Sequence, residues 1–304
     1  MRVFVAGASG AIGSRLVPQL VERGHEVTGT FRSPGKEERV RSLGAEPVML
    51  DLLDPAAVRT AVLEARPDAI VHEATAIADI DFRNFDRSFA ATNRLRTEGT
   101  DALLAAAREA GVSRFVTQSY ASARYERAGG LVKTEDDPLD PEPVEAMRES
   151  FAAMRYLDDT VTAAGGMVLR YGTFYGDRDD GLVEPIRKRL FPIVGDGAGV
   201  TSFIHLEDAA AATVLAVEQD RPGVYNVVDD EPAPARDWLP VLAETLGAKP
   251  PRHFPSWLAR LFAGEAAVMM GTSSRGASNA KVKRELGWKP RYASWRDGFA
   301  ATYA

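Results

Sequence analysis

The chain has 304 residues, enough for one large domain or two small ones. It is 45% hydrophobic and 26% charged with a net charge of -6, a globular balance that gives no ground for a nucleic-acid partner or an anionic membrane surface. No cysteine is present, which excludes disulfides, a catalytic thiol and cysteine-ligated metal, and His25, His72, His205 and His253 lack metal-ligand spacing.

No apolar stretch approaches the roughly 20 residues of a spanning helix. The N-terminus reads as a core strand and not as a signal peptide, so a cytoplasmic protein without membrane contact is expected. Val3, Phe4, Val5 and Ala6 form a short run of strand formers. Gly7, Gly10 and Gly13 follow in the spacing G-x-x-G-x-x-G, and Ile12, Leu16, Val17, Leu20 and Val21 then fall on one helical face. A strand, a glycine turn and a helix in that order make a dinucleotide cradle. Gly7 turns the chain, Gly10 lets backbone N–H groups approach a pyrophosphate, and Gly13 lets helix and strand pack closely. Ser9, Ala11 and Ile12 complete the loop.

Gly24 closes the first helix, and residues 25–31 read as the second strand. An acid at its end would bind a ribose 2′-hydroxyl and favour NAD. Phe31 stands there instead and Arg32 follows, with Ser33 and Lys36 close by. That arrangement suits a 2′-phosphate, so NADP is expected, with NAD the alternative. A short helix over residues 37–43 and a third strand over 46–50 lead to Asp51 and Leu52. Asp51 is placed to accept from an adenine amino group or to cap the helix starting near Pro55.

Residues 69–74 read as a central parallel strand. Ala74, Thr75 and Ala76 are small residues at its carboxyl end, where open α/β sheets bind ligands. A long helix covers residues 89–110 with Asn93 inside it, and residues 114–119 form the next strand. Residues 129–144 read as a polar surface loop, 145–163 as a helix and 167–171 as a strand. Strand 202–206, an alanine-rich helix to Val217, strand 223–228 and helices over 238–246, 257–262 and 295–303 follow, with 250–255 as a loop. The fold class is α/β.

Several stretches together resemble the extended short-chain dehydrogenase/reductase superfamily, the NAD-dependent epimerase/dehydratase family. They are the glycine motif, Asp51-Leu52, Val71-His72-Glu73-Ala74, Leu169-Arg170-Tyr171-Gly172 with Phe174-Tyr175-Gly176, Phe203 to Asp208, Tyr225-Asn226-Val227 and Glu285 to Pro290. The resemblance implies a Rossmann-type doubly wound parallel sheet with a smaller C-terminal substrate-binding domain. The dinucleotide domain would comprise residues 1–171 and 202–228, and the substrate region 172–201 and 229–304. It also implies cofactor contacts from Asn93, Tyr171 and Phe174, a small-molecule substrate shaped by residues 129–144 and 179–200, and a homodimer through the two long helices.

Family members that act on carbonyls use a Tyr-x-x-x-Lys pair on a helix with a Ser or Thr on the preceding strand. The lysine lowers the tyrosine pKa, and the phenol exchanges a proton with the substrate oxygen. This chain contains no Tyr-x-x-x-Lys, and Ser150 and Met154 fall at those positions. Tyr120 falls where the Ser/Thr is expected, with Ser119 one residue before it. Tyr120 is the candidate acid and Ser119 an orienting hydroxyl, with Tyr125 and Tyr175 as further candidates. His205 reads as a packed strand histidine. Three functions are compatible with this pattern: an NADP-dependent oxidoreductase or epimerase-like enzyme on a carbonyl or hydroxyl substrate, a non-redox enzyme that keeps the nucleotide, and a non-catalytic cofactor sensor.

Overall fold

The computed structural model describes residues 1–77, 80–177 and 181–304. Strand β1 (Arg2–Ala6) leads through the glycine turn into α1 (Gly13–Glu22). Then come β2 (Glu26–Phe31), α2 (Glu37–Ser42), β3 (Glu46–Met49), α3 (Pro55–Ala65) and β4 (Ala69–His72). A helical rod follows, made of α4 (Phe85–Arg94), a π turn over Leu95–Gly99 and α5 (Thr100–Glu109). β5 (Arg114–Tyr120), β6 (Val132–Lys133), α6 (Arg148–Ala163), β7 (Met167–Tyr171) and β8 (Thr173–Tyr175) come next.

Beyond them lie α7 (Val183–Arg187), β9 (Ile193–Val194), β10 (Val200–Thr201), β11 (Phe203–His205), α8 (Leu206–Gln219) and β12 (Gly223–Val227). The chain ends with β13 (Ala233–Pro234), α9 (Ala235–Thr245), β14 (His253–Phe254), α10 (Ser256–Thr272), β15 (Gly276–Ala277), α11 (Ala280–Leu286) and α12 (Trp295–Tyr303).

The seven-stranded sheet has the order β12-β7-β5-β4-β1-β2-β3, and every pairing in it is parallel. Side chains alternate across such a sheet. Val3 and Val5 of β1 enter one apolar cluster with Leu16, Val214 and Val282, so α1, α8 and α11 cover that face. Phe4 and Ala6 enter the other with Val58, Leu103 and Leu157, from α3, α5 and α6. Both faces are covered, which is why β4 reads Ala-Ile-Val-His and is buried throughout. The strand order reverses at β1 and β4, and this switch point fixes where a ligand crevice opens. A separate aromatic cluster of Tyr175, Phe203, Trp238, Trp295 and Phe299 organises the C-terminal part.

Local differences from the sequence-based expectation have plain causes. Val21, expected on the buried face of α1, is 37% exposed, because the apolar stripe that meets α8 ends at Leu20. The long helix begins at Phe85, and its π turn leaves no periodic trace in the sequence. The 257–262 helix continues to Thr272 through a break at Gly264, whose φ of 83° is open to glycine. Residues 129–144 and 250–255 each contribute a two-residue strand, paired with β15 and β9 respectively, and such pairings are too short for periodicity to reveal. The 179–200 segment begins on residues 179 and 180, outside those described.

Candidate functional site

The carboxyl ends of β1 and β4 open into a cavity of about 440 Å³. Its floor is the glycine turn. Gly7 sits at φ 94°, and a Cβ there would lie 2.8 Å from the backbone of Ala74, so β1 and β4 approach through glycine alone. Gly7 N donates to Thr30 Oγ1 at 3.1 Å, which ties the turn to β2. A Cβ on Gly13 would lie 2.7 Å from Ala8 Cα, so Gly13 serves helix packing and does not line the cavity. Gly10 differs. A Cβ there would meet only the Gly7 carbonyl oxygen, at 3.2 Å, and otherwise project into open space. Ser9, Ala11 and Ile12 line the same wall. Helix α1 starts without an acidic residue in its first turn and without a side-chain cap, which leaves its positive end available to an anion.

At one end the cavity is bounded by Phe31, Arg32, Ser33 and Lys36, and along one side by Leu50, Asp51 and Leu52. Asp51 Oδ1 accepts from Leu53 N at 3.0 Å, while Asp54 caps α3 through Ala56 N and Ala57 N. Asp51 is therefore not the cap of that helix. Ala74, Thr75 and Phe174 line the wall as the sequence suggested. Ala76 does not line it, and its N–H donates to Thr92 Oγ1. Asn93 is also off the wall, because its Nδ2 donates to Ser150 Oγ at 3.1 Å. Tyr171 is completely buried one layer behind. Its hydroxyl bonds Glu73 Oε1 at 3.1 Å and Thr213 Oγ1 at 2.6 Å, so it touches the cavity only through Glu73.

Glu73 is the lining residue that sequence reading missed, together with Thr30, Ile77, Leu95 and Gln118. Glu73 is 5% exposed, and its Oε2 has no hydrogen-bond partner. Burial pushes its carboxyl up to about 8, against the hydrogen bond from Tyr171, so at neutral pH it is mostly protonated and neutral. The signal was present: Glu73 directly follows the buried strand Ala69–His72 at its carboxyl end, where open α/β sheets bind ligands. Gln118 Nε2 donates to the Glu73 carbonyl at 2.7 Å and joins β4 to β5 at the cavity edge.

The ends of β5 and α6 carry the expected catalytic positions. Ser119 is held in a buried ionic cluster. Its hydroxyl donates to Asp158 Oδ1 at 2.7 Å and accepts from Arg124 Nη1 at 2.9 Å. Asp158 Oδ2 also meets Arg124 Nη2 at 3.0 Å and Arg170 Nη2 at 2.8 Å. Burial works against the charge on Asp158, yet the two guanidiniums hold its carboxyl below the usual range. Ser119, expected to orient a substrate oxygen, gives its single O–H to Asp158 in this structure.

Tyr120 continues β5 and points the other way, with its hydroxyl 3.1 Å from Thr173 Oγ1. Arg124 reaches back to the Tyr120 carbonyl and not to the phenol. Burial raises the Tyr120 pKa, and the Thr173 bond only opposes it, so the phenol stays protonated. Ser150 and Met154 are both buried. Ser150 Oγ donates to Asp86 Oδ1 at 2.6 Å, and Met154 packs with Phe85, Phe89, Phe151 and the Tyr120 ring. Tyr125 donates to Asn226 Oδ1, Tyr175 lies in the aromatic cluster, and neither lines the cavity. His205 caps α8 and rests against Tyr175 and Tyr292; burial lowers its pKa to about 4.

A parallel sheet with a glycine cradle at its switch point, an open helix N-terminus and a deep adjoining cavity define a dinucleotide-binding α/β enzyme. The model of the NAD dependent epimerase/dehydratase family matches residues 3–228, and the chain belongs to that family. It is 43% identical to a 3-diazoavenalumate denitrifying reductase from Streptomyces sp, over 98% of this chain and 99% of that protein. It is 31% identical to a 4-hydroxy-2-methyl-3-oxo-4-farnesyl-3,4-dihydroquinoline-1-oxide ketoreductase from Stigmatella aurantiaca, over 82% of this chain and 74% of that protein. Among solved structures it is similar to the UDP-glucose 4-epimerase of Thermus thermophilus in complex with NAD. There the TM-score is 0.77 and the identity 27%, over 100% of this chain and 98% of that one. The chain is an NAD(P)-dependent oxidoreductase or epimerase-like enzyme. Among the described residues no helix is long and apolar enough to cross a membrane, and no group of three or more acidic, histidine or cysteine residues could hold a metal ion.

The different surroundings of the two glycines give different expected outcomes. Gly10→Val should abolish dinucleotide binding with the melting temperature nearly unchanged, because its side chain enters the cradle. Gly13→Ala should cost about 1–3 kcal/mol of stability by overpacking. Cofactor titration and thermal melts of both variants check this; normal cofactor affinity in Gly10→Val would refute the cradle.

Buried acids also make stability depend on pH. Glu73 is raised from 4.5 to about 8, so between those values the folded state binds more protons than the unfolded one. Its contribution is fully present below pH about 4.5 and is lost as pH rises through about 8. Asp229, also raised by burial to about 8, acts in the same direction. Glu73→Gln should remove part of that slope in urea unfolding followed against pH, leaving the Asp229 share. An unchanged slope would mean Glu73 is already charged when folded.

Proposed function

We propose that the chain is an NADPH-dependent reductase whose hydride acceptor needs no acid from the protein, namely an arene bearing a diazonium group. The observation that carries this reading is the site at α6. Where the family resemblance places the tyrosine and lysine, Ser150 and Met154 are buried, with Ser150 bonded to Asp86 and Asn93 and Met154 in an apolar cluster. When bound, the reduced nicotinamide supplies a hydride that forms the new C–H bond while the C–N bond breaks and its electron pair leaves with N₂. The acceptor loses its positive charge, the leaving group is neutral, and no substrate oxygen has to be protonated. A ketone differs, because its reduction generates an alkoxide that requires a proton. The relative that shares 43% identity over nearly the whole chain is named for denitrifying a diazo compound, in agreement with this chemistry.

The chain's own residues bind and orient in this scheme. The α1 terminus would hold the pyrophosphate, with Gly10 leaving it room. Arg32, with Ser33 and Lys36, faces a 2′-phosphate, and the end of β2 offers no acid to a ribose hydroxyl. Neutral Glu73 places no negative charge beside the cofactor at pH 7. A second reading is reduction of a carbonyl with Tyr120 as proton donor. It is favoured by the position of Tyr120 at the end of β5, hydrogen-bonded to Thr173, and by the ketoreductase relative.

The two readings separate in one experiment. Enzyme, NADPH and 4-hydroxybenzenediazonium should give NADPH oxidation and N₂ release above the enzyme-free rate, and Tyr120→Phe should leave that rate unchanged. If instead a panel of ketones turns over without N₂ release, and Tyr120→Phe slows it by about 10²–10⁴-fold, the carbonyl reading replaces the first. Cofactor choice has its own check. Arg32→Ala should weaken NADPH by roughly tenfold or more and leave NADH unchanged, since a charged hydrogen-bond pair contributes about that much. Equal NADPH and NADH affinities in the unmodified enzyme would refute the phosphate site.

A further inference from the structure

One arginine close to the α6 position forms no direct ion pair among the described residues. Arg96 lies on the π turn Leu95–Gly99. Such turns re-aim side chains within a helix and recur at functional positions. Its Nη1 donates to Asn93 Oδ1 at 3.1 Å, and its guanidinium carbon lies 5.9 Å from the centroid of the Phe89 ring. Among the described residues it enters no ion pair, whereas Arg124 and Arg170 share Asp158. Burial lowers the Arg96 pKa to about 10; the charge of Arg124 adds to that effect and that of Asp158 opposes it. An arginine has five N–H donors, and one neutral amide oxygen leaves most of them unused.

Its position matters as much as its charge. Asn93 passes from Arg96 to Ser150, so the guanidinium is one side chain away from the position that the family resemblance gives to the acid. Phe89 is stacked on Phe85, with centroids 4.4 Å apart, and both share an apolar cluster with Met154, Phe151 and the Tyr120 ring. The charged groups nearby are Arg124, Arg170 and Asp158. Glu135 lies beyond Arg170 and accepts from Asn226 N, and Asp86 caps α6. Arg124 and Arg170 are committed to Asp158, whereas Arg96 makes no such pair. A fork of cationic donors beside aromatic and thioether side chains matches an anion on a flat apolar body.

We propose that Arg96 receives the carboxylate of an aromatic acid, a subsite that rests on the reductase reading for its reaction but not for its affinity. The test uses 4-hydroxycinnamate and its methyl ester, each titrated calorimetrically into the NADP⁺-loaded enzyme. The acid should bind about tenfold or more tighter than the ester, the ratio expected of a charged hydrogen-bond pair. Arg96→Met keeps an unbranched stem against Phe89. It should bring the acid down to the affinity of the ester, with the ester and NADP⁺ unchanged; Arg96→Gln serves the same purpose if the methionine variant does not fold. Equal binding of acid and ester to the unmodified enzyme, no binding of the acid at millimolar concentration, or a preference that survives loss of the guanidinium would each overturn the subsite. The diazonium used to test the reaction carries no carboxylate. Its failure to turn over while the acid preference persists removes the reaction and leaves the subsite. Turnover without that preference removes the subsite alone.

Discussion

A single buried carboxylate holds the reactive end of this molecule together. Asp158, 2% exposed, accepts from Ser119 on β5 and from Arg170 on β7, and pairs with Arg124 in the segment after β5, while itself belonging to α6. Such a cluster is not a source of net stability, since desolvating three charges offsets most of their attraction. Breaking it is another matter. Without the carboxylate two guanidiniums would be left buried, at a cost of about 3–5 kcal/mol. The cluster therefore acts as a geometric constraint. It turns Ser119 inward, which by strand alternation turns Tyr120 outward toward Thr173, and it fixes the face of α6 that carries Ser150 and Met154.

That constraint sets what acid/base chemistry is available. Among the described residues no cation meets the Tyr120 phenol, and burial raises its pKa, so it forms no phenolate near neutral pH. Glu73 is neutral over the same range. His72 is lowered to about 4 by burial and is neutral as well. The site thus combines a cofactor cleft of ordinary family form with surroundings poor in proton donors and acceptors tuned to pH 7. Transfer of a hydride alone suits such surroundings better than a step coupled to proton transfer.

The excess positive charge near Asn93 belongs to the same logic. A lysine on α6 would lie beside a tyrosine and lower its pKa. Here the cationic group comes from the π turn in the neighbouring rod and faces Phe89.

The sequence by itself determined the sheet and the glycine turn. These depend on local requirements: strand β1 must be apolar on both faces, Gly7 must accept a positive φ, and Gly10 must leave space open, each of which restricts residue type at fixed spacing. Gly13, Asn93, Ala76 and Tyr171 could be named as belonging to the region, but whether a side chain faces the cavity or the layer behind it depends on packing between distant elements. Only the tertiary structure decided that Ser119 is tied to Asp158, 39 residues away, and that burial takes the charge from Glu73 despite the hydrogen bond from Tyr171. Which groups face Arg96 is likewise a three-dimensional matter. Burial and charge pairing are properties of which groups meet after folding, and sequence spacing does not carry them.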